Sequence, residues 1–223
     1  MESRWFIRPA CTPKRLRLRS RKPLGVDGVR DQGPKDKTNA CDGPGSPRVF
    51  LAEDRGGGSL VAMLDEDRKV LEIRQANESD ICDLVDLDDK CFDTYYYEKT
   101  KFSESDFRAY LCRRKSFLRV AVRDSCLVGY IAGTLRASRL RSIAHIDSIA
   151  VCSAARNKGI GSRLLDLFIQ EARQRACTMV LLEVAEANKE GLEFFSKRSF
   201  LRIDDLPEYY GRGLDGVLMQ LRM

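Results

Sequence analysis

From residue 70 the apolar positions fall into short runs whose periods alternate between two and about 3.6 residues, marking strands and helices in turn. "VLEIRQA" reads as a strand. Asn77, in "NESD", then caps an amphipathic run through Ile81, Leu84, Val85 and Leu87 to Phe92. Ser103 with Asp106 three residues on starts a second helix, ending near Arg114. "FLRVAVR" and "CLVGYIAGTLRA" read as two strands with Asp124-Ser125 as the tight turn between them, and "SIAHIDSIAV" as the next. A long helix is predicted from Gly159 to about Ala176, with Ile160, Leu164, Leu165, Phe168 and Ala172 on one side. "TMVLLEV" is apolar enough for a strand covered on both faces. A helix over 188–198 and the strands "FLRI" and "GVLMQL" complete the order. This β-α-α-β-β-β-α-β-α-β-β series predicts an α/β (α+β type) fold, a mixed sheet with helices packed on it.

Residues 1–62 lack such periodicity and hold six of the seven prolines and eight of the sixteen glycines. They read as a disordered, basic N-terminal extension before a domain at 68–223. The Arg-rich, acid-free start leaves three readings open: an organelle-targeting peptide, a solvated tail, or a misassigned start with Met63 as the initiator. The net charge of +6 belongs to this segment, with 13 Lys/Arg against 7 Asp/Glu, while residues 63–223 hold 26 of each. The domain thus carries no overall basic balance for nucleic acid, which argues against such a partner. No apolar run approaches the roughly 18 residues of a membrane span. Eight scattered cysteines without a C-x-x-C pair, and a single histidine, fit reduced thiols in a cytoplasmic protein and offer no metal cluster.

Between the fourth strand and the long helix stands "RNKGIG", Arg156 to Gly161. It is not a Walker loop, and the third glycine of a dinucleotide fingerprint is replaced by Leu164. It does complete the pattern Arg/Gln-x-x-Gly-x-Gly/Ala at a helix N-terminus, where glycines let an anion approach first-turn amides. A plain β-α turn with solvated cations is the other reading of these residues alone.

Over about residues 70–223 the chain resembles the GNAT superfamily of acyl-CoA N-acyltransferases, and within it the ribosomal-protein-alanine N-acetyltransferase-like enzymes. The likeness is carried by "IAVCSAARNKGIGSRLL", "LLEVAEANKEGLEFFSKRSF" and the late "EYY". The resemblance implies a GNAT fold with six to seven strands and about four helices, and acetyl-CoA as cosubstrate. The acceptor would be a primary amine: a protein N-terminus, a lysine or a small amine. It implies that Ile149, Ala150 and Val151 run along the pantetheine arm. Arg156, Asn157, Lys158, Gly159, Ile160, Gly161 and Ser162 would hold the pyrophosphate, with Asn188 bonding the cofactor or simply capping its helix.

Glu183 matches the family's general base; a strand-end carboxylate paired with an arginine is the alternative. His145 stands where other branches carry a base or relay residue, and Asp147 shares its strand face. The family's thiolate-protonating Tyr is Phe195 here, and Ser199 replaces a usual Gly. Tyr210, Tyr209 or solvent is then left to protonate the sulfur. "DTYYYEKTKF" and "LPEYYGRG" are expected as loops flanking the substrate mouth. A non-catalytic acyl-CoA-binding module is the alternative function.

Overall fold

The computed structural model describes residues 50–53, 59–64, 70–92, 100–136 and 142–223. Among the described residues, nine strands form one sheet in the order β1-β2-β3-β4-β5-β6-β7-β9-β8. They are β1 (Phe50–Glu53), β2 (Ser59–Leu64), β3 (Val70–Gln75), β4 (Ser116–Arg123), β5 (Cys126–Arg136), β6 (Ile143–Val151), β7 (Met179–Ala185), β8 (Leu201–Gly211) and β9 (Leu214–Arg222). The described residues form four α-helices: α1 (Ile81–Cys91), α2 (Glu104–Cys112), α3 (Ile160–Gln174) and α4 (Lys189–Ser196).

Seven strands and all four helices fall where periodicity places them. Most of the segment expected to be disordered up to residue 62 lies outside the described residues; of its described part, β1 and β2 pair antiparallel with each other, and β2 pairs with β3. Three consecutive glycines between two short apolar runs masked a hairpin-like pattern there. "LPEYYGRG" also differs from expectation, because β8 continues through Gly211 with irregular pairing to β9 between Leu206 and Gly211. The three tyrosines of "DTYYYEKTKF" lie outside the described residues.

Local chemistry sets the helix starts. At the 3-10 turn (Glu78–Asp80) that runs into α1, Asn77 Oδ1 accepts from Ser79 N–H at 2.9 Å, and Asp80 Oδ2 accepts from Asn77 N–H at 2.8 Å. Ser103 and Asp106 make the same reciprocal box ahead of α2. Each box satisfies orphan amide donors of the first turn and contributes about 1 kcal/mol.

Two cores lie on opposite faces of the sheet. On one, α3 buries Leu164, Leu165, Phe168 and Ala172 against Phe117, Ile131, Ile146, Val180 and Leu182. Each large apolar side chain so buried stabilises the fold by about 1.5–3 kcal/mol. On the other, α1 and α2 cover Tyr130, Val120 and Ala150 with Leu84, Leu87 and Phe107.

Two departures from regular pairing shape the centre. β6 and β7 are parallel but pair only at Ile143↔Met179, Ala144↔Val180 and His145↔Leu181. Beyond those pairs both strands continue without bonding each other, which opens a cleft between Ile146–Val151 and Leu182–Ala185. In β6 the register with β5 slips from Ala132↔Ser148 to Gly133↔Ile146, leaving Asp147 as the extra residue of a β-bulge. The slip changes which residues face each core: Ala144 and Ile146 lie in the α3 core before it, Ile149 and Val151 after it. His145, Asp147 and Ser148 therefore share the α1–α2 side.

Candidate active site

The glycine-rich loop sits at the open end of β6. Val151 leads into a short 3-10 turn (Ser153–Ala155), and α3 begins at Ile160. Asn157 and Gly159 both take positive φ, 60° and 75°, so the chain turns tightly twice. Gly159 occupies the N-cap without a side-chain cap bond, so first-turn amides keep no intrahelical acceptor. A Cβ at Gly161 would meet only Val151 and Phe194, at 3.7 and 3.8 Å.

Around this loop lies a pocket of about 310 Å³ lined by Ile149, Ala150, Val151, Arg156, Asn157, Gly159, Ile160, Gly161 and Ser162. α4 closes it with Gly191, Phe194 and Phe195, and the turn after α4 with Lys197 and Arg198. Its charged lining residues are Arg156, Lys197 and Arg198, all cations, beside the positive end of a helix dipole. This suits a polyanion carrying an apolar tail.

Two of the expected contributors also bond within the protein. Arg156 directs Nε to the Val151 carbonyl at 3.2 Å, tying the loop to the strand. Asn188 Oδ1 accepts from Gly191 N–H at 2.9 Å, so it caps α4. Lys158 belongs to the same loop but does not line the pocket.

At the apex of the cleft the α1–α2 face carries a chain of polar groups. Glu183, 3% exposed, places Oε2 and Oε1 at 3.0 and 3.1 Å from His145 Nε2. His145 Nδ1 lies 2.6 Å from Asp147 Oδ1. Tyr110, in α2, donates its hydroxyl to Asp147 Oδ2 at 2.8 Å. An unprotonated ring nitrogen would oppose its lone pair to a carboxylate oxygen, so each contact holds a proton. Burial disfavours an imidazolium here, but the Glu183 carboxylate and the Asp147 hydrogen bond prevail and raise the His145 pKa to about 10. For Tyr110, burial and the adjoining Asp147 both push the phenol pKa up, which keeps it a donor.

Glu183 is thus a buried carboxylate whose partner among the described residues is His145, not an arginine. The sequence brought His145 and Asp147 together; Tyr110 it missed, because only the packing of α2 on β6 delivers that hydroxyl. A neighbouring buried set holds the same helices down: Tyr130 donates to Asp88, and Ser148 lies 2.8 Å from the Tyr130 oxygen. Asp88 also accepts from Phe102 N–H at 3.1 Å.

Tyr210, in β8, is 6% exposed and belongs to the same core as Ala150 and Ala185, the residues at the open end of the cleft. Its ring packs edge-on against Tyr209. Phe195 is buried between Phe194 and Phe200 in edge-to-face contacts and carries no hydroxyl into the pocket. Ser199 holds φ at 64°, the left-handed conformation that favours the glycine expected there. Among the described residues no cluster of His, Cys, Asp or Glu could hold a metal ion. No described helix is long and apolar enough to cross a membrane.

A splayed parallel pair, an anion loop at the next helix and a buried carboxylate at the apex define the class: an acyl-transfer domain of α/β type. The acetyltransferase (GNAT) family model matches residues 81–200, and the chain belongs to that family. An uncharacterised N-acetyltransferase of Methanocaldococcus jannaschii is 30% identical over 138 residues, covering 59% of this chain and 61% of its own length. N-alpha-acetyltransferase 30 of Xenopus laevis is 25% identical over 206 residues, 92% of this chain and 71% of that protein. The chain thus spans about two thirds of the curated relatives it matches. Ribosomal-protein-alanine N-acetyltransferase from Brucella melitensis shares 27% identity at a TM-score of 0.58, covering 68% of this chain and 99% of that one.

Proposed function

We propose that this protein transfers the acetyl group of acetyl-CoA to a primary amine, with a protein N-terminus as the preferred acceptor. The observation that carries this reading is Glu183 at the cleft apex, bonded to His145 and on the opposite side of the sheet from the α3 core. The names of the similar chains, N-alpha-acetyltransferases among them, support the acceptor class.

Acetyl-CoA supplies an activated acyl thioester. The pocket residues fit its pyrophosphate at the first-turn amides of α3 and its apolar arm along Ile149–Val151, whose edge toward β7 has no strand partner. Glu183 accepts a proton from the acceptor amine as nitrogen bonds to the acyl carbon. The carbon–sulfur bond breaks, and coenzyme A leaves as a thiolate. A free thiol has a pKa of about 8.5, so the sulfur recovers a proton readily near neutral pH. Tyr210, near the open end of the cleft, is the hydroxyl we assign to that return. His145 fixes the Glu183 carboxylate by its Nε2–H. The alternative, a non-catalytic acyl-CoA-binding module, has no observation in its favour.

The test is acetyl transfer from acetyl-CoA to a panel of N-terminal peptides, lysine peptides and small amines, read as thiol release and product mass. Transfer to free peptide N-termini is the expected result. Acetyl-CoA should also raise the melting temperature, and Gly161→Trp, which fills the pocket, should abolish that rise. Cofactor binding without turnover on any amine would overturn the reading.

A further inference from the structure

We propose that Asp147 and Tyr110 are positioning residues that act through His145 to lock Glu183 in the orientation from which it takes the acceptor's proton. The inference rests on Glu183 as the base. Four side chains from three elements make one unbroken sequence of contacts: Tyr110 to Asp147 at 2.8 Å, Asp147 to His145 at 2.6 Å, and His145 to Glu183 at 3.0 Å.

The bulge is what makes this sequence possible. In regular pairing Asp147 would face a partner on β5; as the inserted residue it lies beside His145 instead, under α2. One oxygen of Asp147 takes the imidazole Nδ1–H and the other takes the Tyr110 hydroxyl, so the carboxylate cannot turn without losing a bond. The ring is then held at both nitrogens, and its Nε2–H bridges both oxygens of Glu183. Glu183 keeps lone pairs for the amine but loses its rotational freedom.

Two protons occupy the two ring contacts, so the Asp147–His145–Glu183 unit enters the reaction carrying a net charge of −1. Taking the amine's proton brings it to neutrality, so the step removes the unit's net buried charge instead of adding one. Among the described residues, the charged groups that act on His145 are Glu183 from β7 and Asp147 from β6 itself. From α2, Tyr110 meets Asp147, with Asp106 and Arg113 acting on its hydroxyl. From α1, Asp88 reaches β6 at Ser148, through Tyr130.

His145 is the chain's single histidine, so nitrogen-15 imidazole spectra of the full protein contain one ring to follow. The wild-type ring should stay doubly protonated well above the ordinary value of about 6.5. In Asp147→Asn its deprotonation should fall by about 1–3 pH units, and in Tyr110→Phe by less in the same direction. The alkaline limb of kcat should move down in parallel, with KM for acetyl-CoA unchanged. A wild-type ring titrating near its ordinary value would overturn the proposal. So would an Asp147→Asn protein whose ring titration and pH–rate profile both match wild type. Should Asp147→Asn fail to fold, the wild-type titration and Tyr110→Phe decide it. The spectra need no turnover, so failure of Glu183 as base is separable: it shows as an active Glu183→Gln enzyme.

Discussion

Replacing Glu183 by Gln tests the chemistry most directly, because it keeps the side chain's shape and removes its ability to accept a proton. The Gln carbonyl oxygen can still receive the His145 Nε2–H, so the loss is electrostatic and not steric. Glu183 is 3% exposed, and its strand neighbours Leu182 and Val184 are fully buried, so bulk water has little access to stand in for it. A positioned base of this kind contributes about 10²–10⁴-fold, and this dry site argues for a loss of about 10²–10³-fold in kcat. At 1.36 kcal/mol per tenfold that is about 3–4 kcal/mol of transition-state stabilisation.

KM for acetyl-CoA should stay within about twofold, because Glu183 does not line the pocket. The assay is steady-state thiol release at saturating acceptor, with acetyl-CoA binding followed by thermal shift. Stability carries a second signature. The His145 pKa is raised in the folded state, so its pairing with carboxylates stabilises fully below about 6.5 and is lost as pH rises through about 10. The stability gap between wild type and Glu183→Gln should therefore be widest below pH 6.5 and narrow toward pH 10. A Glu183→Gln enzyme with wild-type kcat across the pH range would refute the assignment of the base.

Three further outcomes are expected. Gly133→Ala should destabilise by about 2–3 kcal/mol in urea unfolding. Its Cβ would lie 2.5 Å from both the His145 carbonyl and the Phe168 ring, and shifting β6 there should also depress activity. Ser199→Gly should raise stability by about 0.5–1 kcal/mol, since Ser199 holds a left-handed φ of 64° after α4; a lower melting temperature would contradict this. Tyr210→Phe should slow turnover by about tenfold at unchanged KM for acetyl-CoA, and an unaltered rate would mean that water returns the proton to sulfur.

Where periodicity and capping chemistry act locally, the chain alone settles the outcome. The boxes at Asn77 and Ser103, the Asp124-Ser125 turn, the buried stripe of α3 and the strand carrying Glu183 all follow from neighbours a few residues apart. The glycine loop is legible for the same reason, since Gly159 needs its freedom for a local turn. What tertiary structure alone decided is the meeting of distant groups. Glu183 is 38 residues from His145, and Tyr110 is 37 from Asp147; no local pattern encodes either approach. The bulge at Asp147 arises from pairing with β5, and the cleft from the point where β6 and β7 cease to pair. Both are set by cross-strand packing, which a single strand's sequence does not contain. Phe195 shows the division at one residue: the sequence removes its hydroxyl, and packing between Phe194 and Phe200 gives the ring a place in the core.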